Sequence, residues 1–148
     1  MGSSSYKAEA LPPEIREILD VAIEKEITII VAEAYGACRL FQDYLVSKDY
    51  KNVIVGHARS LRYNAGGWKD FKYGDTLKER EKSMIEDCDF AIVVWQDSSS
   101  VIAENLEYLK QLNKPTFLYE YNSSDGVTSS GKLDPTRIYR KYYPYWNR

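Results

Sequence analysis

Four short apolar runs, separated by segments of helical spacing, constrain this chain more than any other feature. They are residues 27–31 (ITIIV), 52–56 (NVIVG), 90–95 (FAIVVW) and 115–121 (PTFLYEY). A continuous apolar run has no solvent face, so it suits a strand covered on both sides, as in parallel sheets. Between and before the runs the period changes. Pro12-Pro13 suits the first turn of a helix, and Ile15, Ile18, Leu19 and Ala22 follow at helical spacing. A second helix is expected over residues 37–48, with Leu40, Phe41, Tyr44 and Leu45 inward. Thr76, with Glu79 three residues on, reads as the capping box of a third helix reaching about Asp87. A fourth is expected over residues 101–112, with Asn113 as its C-terminal cap.

Strands alternating with helices define an α/β domain, and right-handed crossovers make its sheet parallel. The expectation is a Rossmann-like three-layer α/β/α domain over residues 11–121. Its sheet would hold four strands, or slightly more, in the order 2-1-3-4. Residues 1–10 read as a disordered leader, without the basic and apolar regions of a secretory signal. Residues 122–148 read as a linker and an aromatic C-terminal tail, which holds part of an excess of tyrosine (13 in the chain). The order 2-1-3-4 puts the topological switch point between the first and third strands, where open α/β sheets bind ligands. Residues 32–38 and 96–100 would build that crevice. Residues 57–75 show no clean period, and a loop of that length is functional or disordered.

Composition narrows the function. A net charge of −2 leaves no electrostatic footprint for duplex nucleic acid or an anionic membrane. No apolar stretch is long enough to span a bilayer. With two cysteines and one histidine the chain lacks ligands for the usual zinc site, and no metal or cofactor is expected. Two cysteines in a domain of this size fit a reducing, cytoplasmic setting. Neither G-x-G-x-x-G nor G-x-x-x-x-G-K-[ST] is present.

Several loop motifs resemble those of the SLOG-like Rossmannoid superfamily, which includes the DprA and LOG proteins, and within it small YspA-like bacterial and phage members. After the first strand those relatives carry G-D-A-x-G-A-D; here stands Ala32-Glu33-Ala34-Tyr35-Gly36-Ala37-Cys38. Their Q-x-Y-L is matched by Gln42-Asp43-Tyr44-Leu45, and R-x-N-x-G-x-W by Arg62, Asn64, Gly66 and Trp68. Arg80, Glu81 and Met84 follow, then Asp89 and Trp95, then Ser98, Ser99 and Asn105. Glu33 and Cys38 replace acids of the relatives' pattern, and Val101-Ile102 replaces a Gly-Thr pair that lets a backbone approach a phosphate. The resemblance covers about residues 27–121. It implies a nucleotide-like ligand bound by Glu33, Tyr35, Gly36, Arg62, Asn64, Arg80, Trp95, Ser98, Ser99 and Asn105.

Each residue also has a plainer reading. Glu33 is an acceptor for ribose hydroxyls or a base amine, or a solvated loop acid. Gly36 serves backbone geometry rather than chemistry. Ser98, Ser99 and Ser100 cap a helix, or add an anion site at its free N–H groups. Arg62 pairs a phosphate while Trp68 pins the loop. Glu104 resembles the nucleophile of nucleoside deoxyribosyltransferases, or is an acid favoured by the helix dipole. Cys38 is a packed thiol or one activated by a helix start. The function expected is therefore a binding module for a nucleotide- or nucleoside-derived small molecule at the carboxyl ends of the first and third strands. The alternative is an N-glycosidic bond hydrolase or transferase using Glu33 or Glu104. A weaker third is oligomerisation or protein docking, with a homo-oligomer formed through the tail, since interfaces favour tyrosine, tryptophan and arginine.

Overall fold

The computed structural model describes residues 1–4, 6, 10–96, 100–121 and 138–143. Its elements are α1 (Pro13–Glu24), β1 (Ile29–Ala32), α2 (Ala37–Ser47), β2 (Val53–His57), β3 (Lys69–Lys72), α3 (Leu77–Asp87), β4 (Ala91–Gln96), α4 (Ser100–Gln111), β5 (Thr116–Tyr121) and β6 (Ile138–Tyr143). The four apolar runs become β1, β2, β4 and β5, and the four helices lie where the spacing puts them. Pro13 opens α1 from its first turn. Thr76 caps α3 in a complete capping box with Glu79.

The strands form two hydrogen-bonded groups, β1-β2-β3, which is wholly parallel, and β4-β5-β6, in which β4 and β5 are parallel and β6 is antiparallel. Helices cover both faces. Along β4 and β5, Val94, Phe117 and Tyr119 face a core that also holds Ile15 and Leu19 of α1, Phe41 and Leu45 of α2, and Val31, Val53 and Val55. Ala91, Val93 and Leu118 face the other side, with Ile85 of α3 and Ile102 and Leu109 of α4. One core thus joins residues of both strand groups. At roughly 1.5–3 kcal/mol per buried aliphatic or aromatic side chain, this burial is what holds the layers together.

Three features depart from the sequence reading. First, a fifth parallel-sheet strand, β3, lies inside the stretch expected to be loop, beside β2. All four of its residues are exposed, so it carries no apolar pattern to find. As a short, lysine-flanked edge it also resists pairing with other chains. Second, among the described residues no ladder joins β1 to β4, the pairing that the order 2-1-3-4 requires. Residues 1–3 instead lie along the β4 edge opposite β5. Gly2 bridges Val94 in parallel, Ser3 N–H donates to the Val94 carbonyl at 2.8 Å, and Val94 N–H donates to the Met1 carbonyl at 3.1 Å. Residues read as a leader thus supply backbone partners to the sheet. Third, the backbone of residues 138–143, read as tail, pairs with β5 in register from Thr116↔Tyr143 to Tyr121↔Ile138. The β4-β5-β6 group is therefore mixed rather than purely parallel. The docking strip expected of the tail rests on side chains outside the described residues.

Tyr73 ties β3 to α3. It is buried, and its hydroxyl donates to Asp87 Oδ2 at 2.6 Å. Burial, then the hydrogen bond to the Asp87 carboxylate, push its phenol far above the ordinary tyrosine value. The unfolded chain releases that proton first, near pH 10, so the folded state binds more protons above it and loses stability as pH rises. Urea denaturation is expected to give a stability that falls beyond about pH 10. Tyr73→Phe should flatten that fall while costing about 1 kcal/mol at neutral pH, through the lost hydrogen bond. An unchanged alkaline slope in Tyr73→Phe would sink the assignment.

Candidate functional site

Glu33 is the first residue past β1, and it is only 2% exposed. A buried carboxylate needs partners, and two guanidiniums supply them. Arg62 Nε donates to its Oε2 at 2.5 Å, and Arg80 Nη1 to its Oε1 at 2.9 Å. The chain of contacts continues inward. Arg80 Nη2 donates to Glu81 Oε1 at 2.6 Å, and Asn105 Nδ2 to Glu81 Oε2 at 3.0 Å. Arg80 is 3% exposed. Burial alone would favour its neutral form, but Glu81 and Glu33 outweigh this and hold its pKa above the ordinary arginine value. The end of β1, the loop after β2, α3 and α4 are thereby joined through one charged network.

The loop over residues 58–68 carries Arg62 outward from β2 and is pinned at several points. Gln42, fully buried on α2, donates to the carbonyls of Ala32 at 2.9 Å and Tyr63 at 3.1 Å, and accepts from Ala65 N–H at 2.9 Å. The Asn64 amide accepts from Trp68 N–H at 3.0 Å and donates to the Trp68 carbonyl at 2.8 Å. The Trp68 indole is buried and donates to the Tyr50 carbonyl at 2.8 Å.

Between this loop and the start of α3 lies a cleft of about 370 Å³, lined by Glu33, Ala58, Arg59, Ser60, Arg62, Asp75, Thr76 and Leu77. It sits at the carboxyl ends of β1 and β2, and the partially positive N-terminus of α3 forms one wall. Its four charges differ in commitment. Glu33 is held by Arg62 and Arg80. Asp75 pairs with Lys72 at 2.7 Å, which holds its carboxyl below the ordinary range. Arg59 Nε donates to the Asp75 carbonyl at 3.3 Å, and the Arg62 side chain is 37% exposed, so its outer edge reaches solvent. Two guanidiniums on a wall whose carboxylates already have cationic partners make a surface suited to an anion.

Of the residues singled out in the sequence, Glu33, Arg62, Arg80 and Asn105 meet in one network. Asn64 lies in the same loop but spends its amide on Trp68. Tyr35, on the loop after β1, is 60% exposed. Gly36 caps α2 with φ 75°, a conformation that favours glycine, as its backbone reading requires. Trp95 is half-buried and packs against the core beneath α3 and α4. Glu104 is exposed on α4, 3.9 Å from Lys78, and is not among the cleft's lining residues. Ser98 and Ser99 lie outside the described residues. Cys38 is buried, and burial pushes its thiol up, away from reactivity. Arg59, Ser60 and Gln42 were missed as site residues. Gln42 stood within a recognisable motif, but its role depends on which carbonyls reach it, and that is set by the tertiary fold. No group of three or more potential metal ligands occurs among the described residues, and none of their helices is long and apolar enough to cross a membrane. Comparison with known proteins finds no matching family model, no matching curated protein and no matching solved structure.

Proposed function

We propose that this chain is a binding module for a phosphate-bearing, nucleotide-derived small molecule, held in the cleft at the carboxyl ends of β1 and β2. The observation that carries the reading is the pairing of Arg62 with buried Glu33 on the wall of that cleft. A guanidinium fixed on its inner side presents its outer edge to a ligand at little further entropic cost. Arg59 adds a second guanidinium on the same loop, and the start of α3 adds positive potential on the facing wall. The motif resemblance to SLOG-like proteins supports the same ligand class. A Rossmann-like order, with β2-β1 continuing into β4-β5 and residues 1–3 in the gap, is our reading of the two strand groups. The core they share supports it.

Binding without turnover is supported by the engagement of both Glu33 carboxylate oxygens. A nucleophile or general base at an anomeric carbon needs a free oxygen within reach of it. Glu104 stands outside the cleft lining. Isothermal titration with AMP, ribose 5-phosphate and inorganic phosphate is the test. Arg59→Ala and Arg62→Ala should each weaken AMP binding by about 1–3 kcal/mol, roughly five- to 150-fold. Chromatography of the incubated ligand should return it intact. Affinity indifferent to both substitutions would remove the cleft from the proposal, and release of free base would replace the binder with an enzyme.

A further inference from the structure

Beside the cleft stands a group that the phosphate site does not use. The Arg39 guanidinium lies between two aromatic rings, 4.2 Å from the centroid of Tyr35 and 4.4 Å from that of Tyr63. Its Nε is buried without a hydrogen-bond partner, so its interaction with the rings carries much of its stabilisation. The Tyr63 hydroxyl is anchored on Asp43, which fixes the inner ring. Tyr35 is the outer member, 60% exposed. Arg39 lies over its ring on one side, and at that exposure much of the ring surface stays accessible.

An exposed tyrosine on a loop ordinarily keeps its rotamer freedom. Here the stack beneath it fixes the ring, so a flat partner arriving on the accessible surface finds it already oriented. Its position is the second observation. Tyr35 is two residues from Glu33, and Tyr63 is next to Arg62; both Glu33 and Arg62 line the cleft. Two virtual bonds of 3.8 Å bring the Tyr35 backbone within about 8 Å of Glu33. That proximity lets one nucleotide be considered across both, with phosphate at the arginines and base on the ring.

We infer that Tyr35, backed by Arg39 and Tyr63, is a stacking platform for the base of a nucleoside 5′-phosphate whose phosphate occupies the Arg59–Arg62 cleft. The inference rests on the cleft reading and adds its base subsite. Stacking on a tyrosine face is sequence-tolerant, so the platform selects for the presence of a base more than for its identity.

The test compares AMP with ribose 5-phosphate, which carries the same phosphate and sugar without a base. The wild-type chain should bind AMP about ten-fold or more tightly than ribose 5-phosphate. Tyr35→Ala should bring AMP down to the ribose 5-phosphate level, while Tyr35→Phe, which keeps the ring and removes only the hydroxyl, should preserve the advantage. Arg39→Met, which removes the charge beneath the ring, should reduce it. Thermal melts of each variant confirm folding; Tyr35 is exposed enough for its replacement to leave the core untouched. Equal binding of AMP and ribose 5-phosphate by the wild type overturns the platform and leaves the phosphate cleft standing. So does an AMP advantage that survives Tyr35→Ala. Binding of neither compound overturns the cleft, and the platform with it.

Discussion

Replacing Arg80 by alanine is expected to cost the fold about 3–5 kcal/mol, a large share of a small domain's stability. The reason lies in what stays behind. Arg80 donates to Glu33 on one side and Glu81 on the other, and it is buried at the level of the core. Its removal leaves Glu33 with Arg62 alone and Glu81 with the Asn105 amide, both carboxylates still shielded from water. An uncompensated buried charge is costly, whereas replacing the whole group by neutral residues is far less so. The triple variant Arg80→Met, Glu33→Gln, Glu81→Gln should therefore recover much of the stability lost in Arg80→Ala, though it deletes more hydrogen bonds. Urea denaturation of the four chains, the wild type and each of Arg80→Ala, Glu33→Gln and the triple variant, supplies the comparison. A loss below about 1 kcal/mol in Arg80→Ala would mean that the pair is solvated and the network is a surface feature.

The same network shows which parts of the structure were legible in the sequence. Burial patterns were readable. β1, β2, β4 and β5 announce themselves as apolar runs, and α3 by its capping box, because each signal is local and repeated. Glu33, Arg62, Arg80 and Asn105 were each selected in the sequence, but nothing in it says that both Glu33 oxygens face arginines. That pairing joins residues 29 and 47 positions apart and changes the acid from a reagent into a clamp. β3 was illegible because four exposed residues leave no period. Its place is fixed by backbone hydrogen bonds to β2 and by His57, whose Nε2 lies 2.9 Å from Asp70 Oδ2. Arg59 and Ser60 were illegible for another reason. They acquire a role only when α3 folds back to close the cleft above them. Residues 1–3 show the limit most plainly, since they reach the sheet mainly through backbone hydrogen bonds to Val94, which leave no pattern in the sequence.

That segment is also the basis of the second large expected effect. Gly36 begins α2 with φ 75° and ψ −131°, a region that residues with a Cβ avoid at about 1–3 kcal/mol. A Cβ added there would also press on the chain's own N-terminal backbone, meeting the Ser4 carbonyl and, at 2.6 Å, the Ser3 carbonyl. Those residues cannot simply retreat. Ala37 N–H donates to the Ser3 carbonyl at 3.1 Å, and Ser3 Oγ accepts from Gln96 N–H at 2.9 Å. Gly36→Ala should therefore lower stability by about 3–5 kcal/mol, the sum of backbone strain and forced overpacking. The two parts separate in a double-mutant cycle with a chain lacking residues 1–4. In that shorter chain the carbonyls are gone and only the dihedral cost remains, so Gly36→Ala should cost about 1–3 kcal/mol. A coupling of 1 kcal/mol or more is the expected reading. Equal costs in both backgrounds would show that residues 1–4 do not lie against Gly36. The β4 edge would then be open, and the crevice between β1 and β4 would become a rival to the Arg59–Arg62 cleft as the ligand's place.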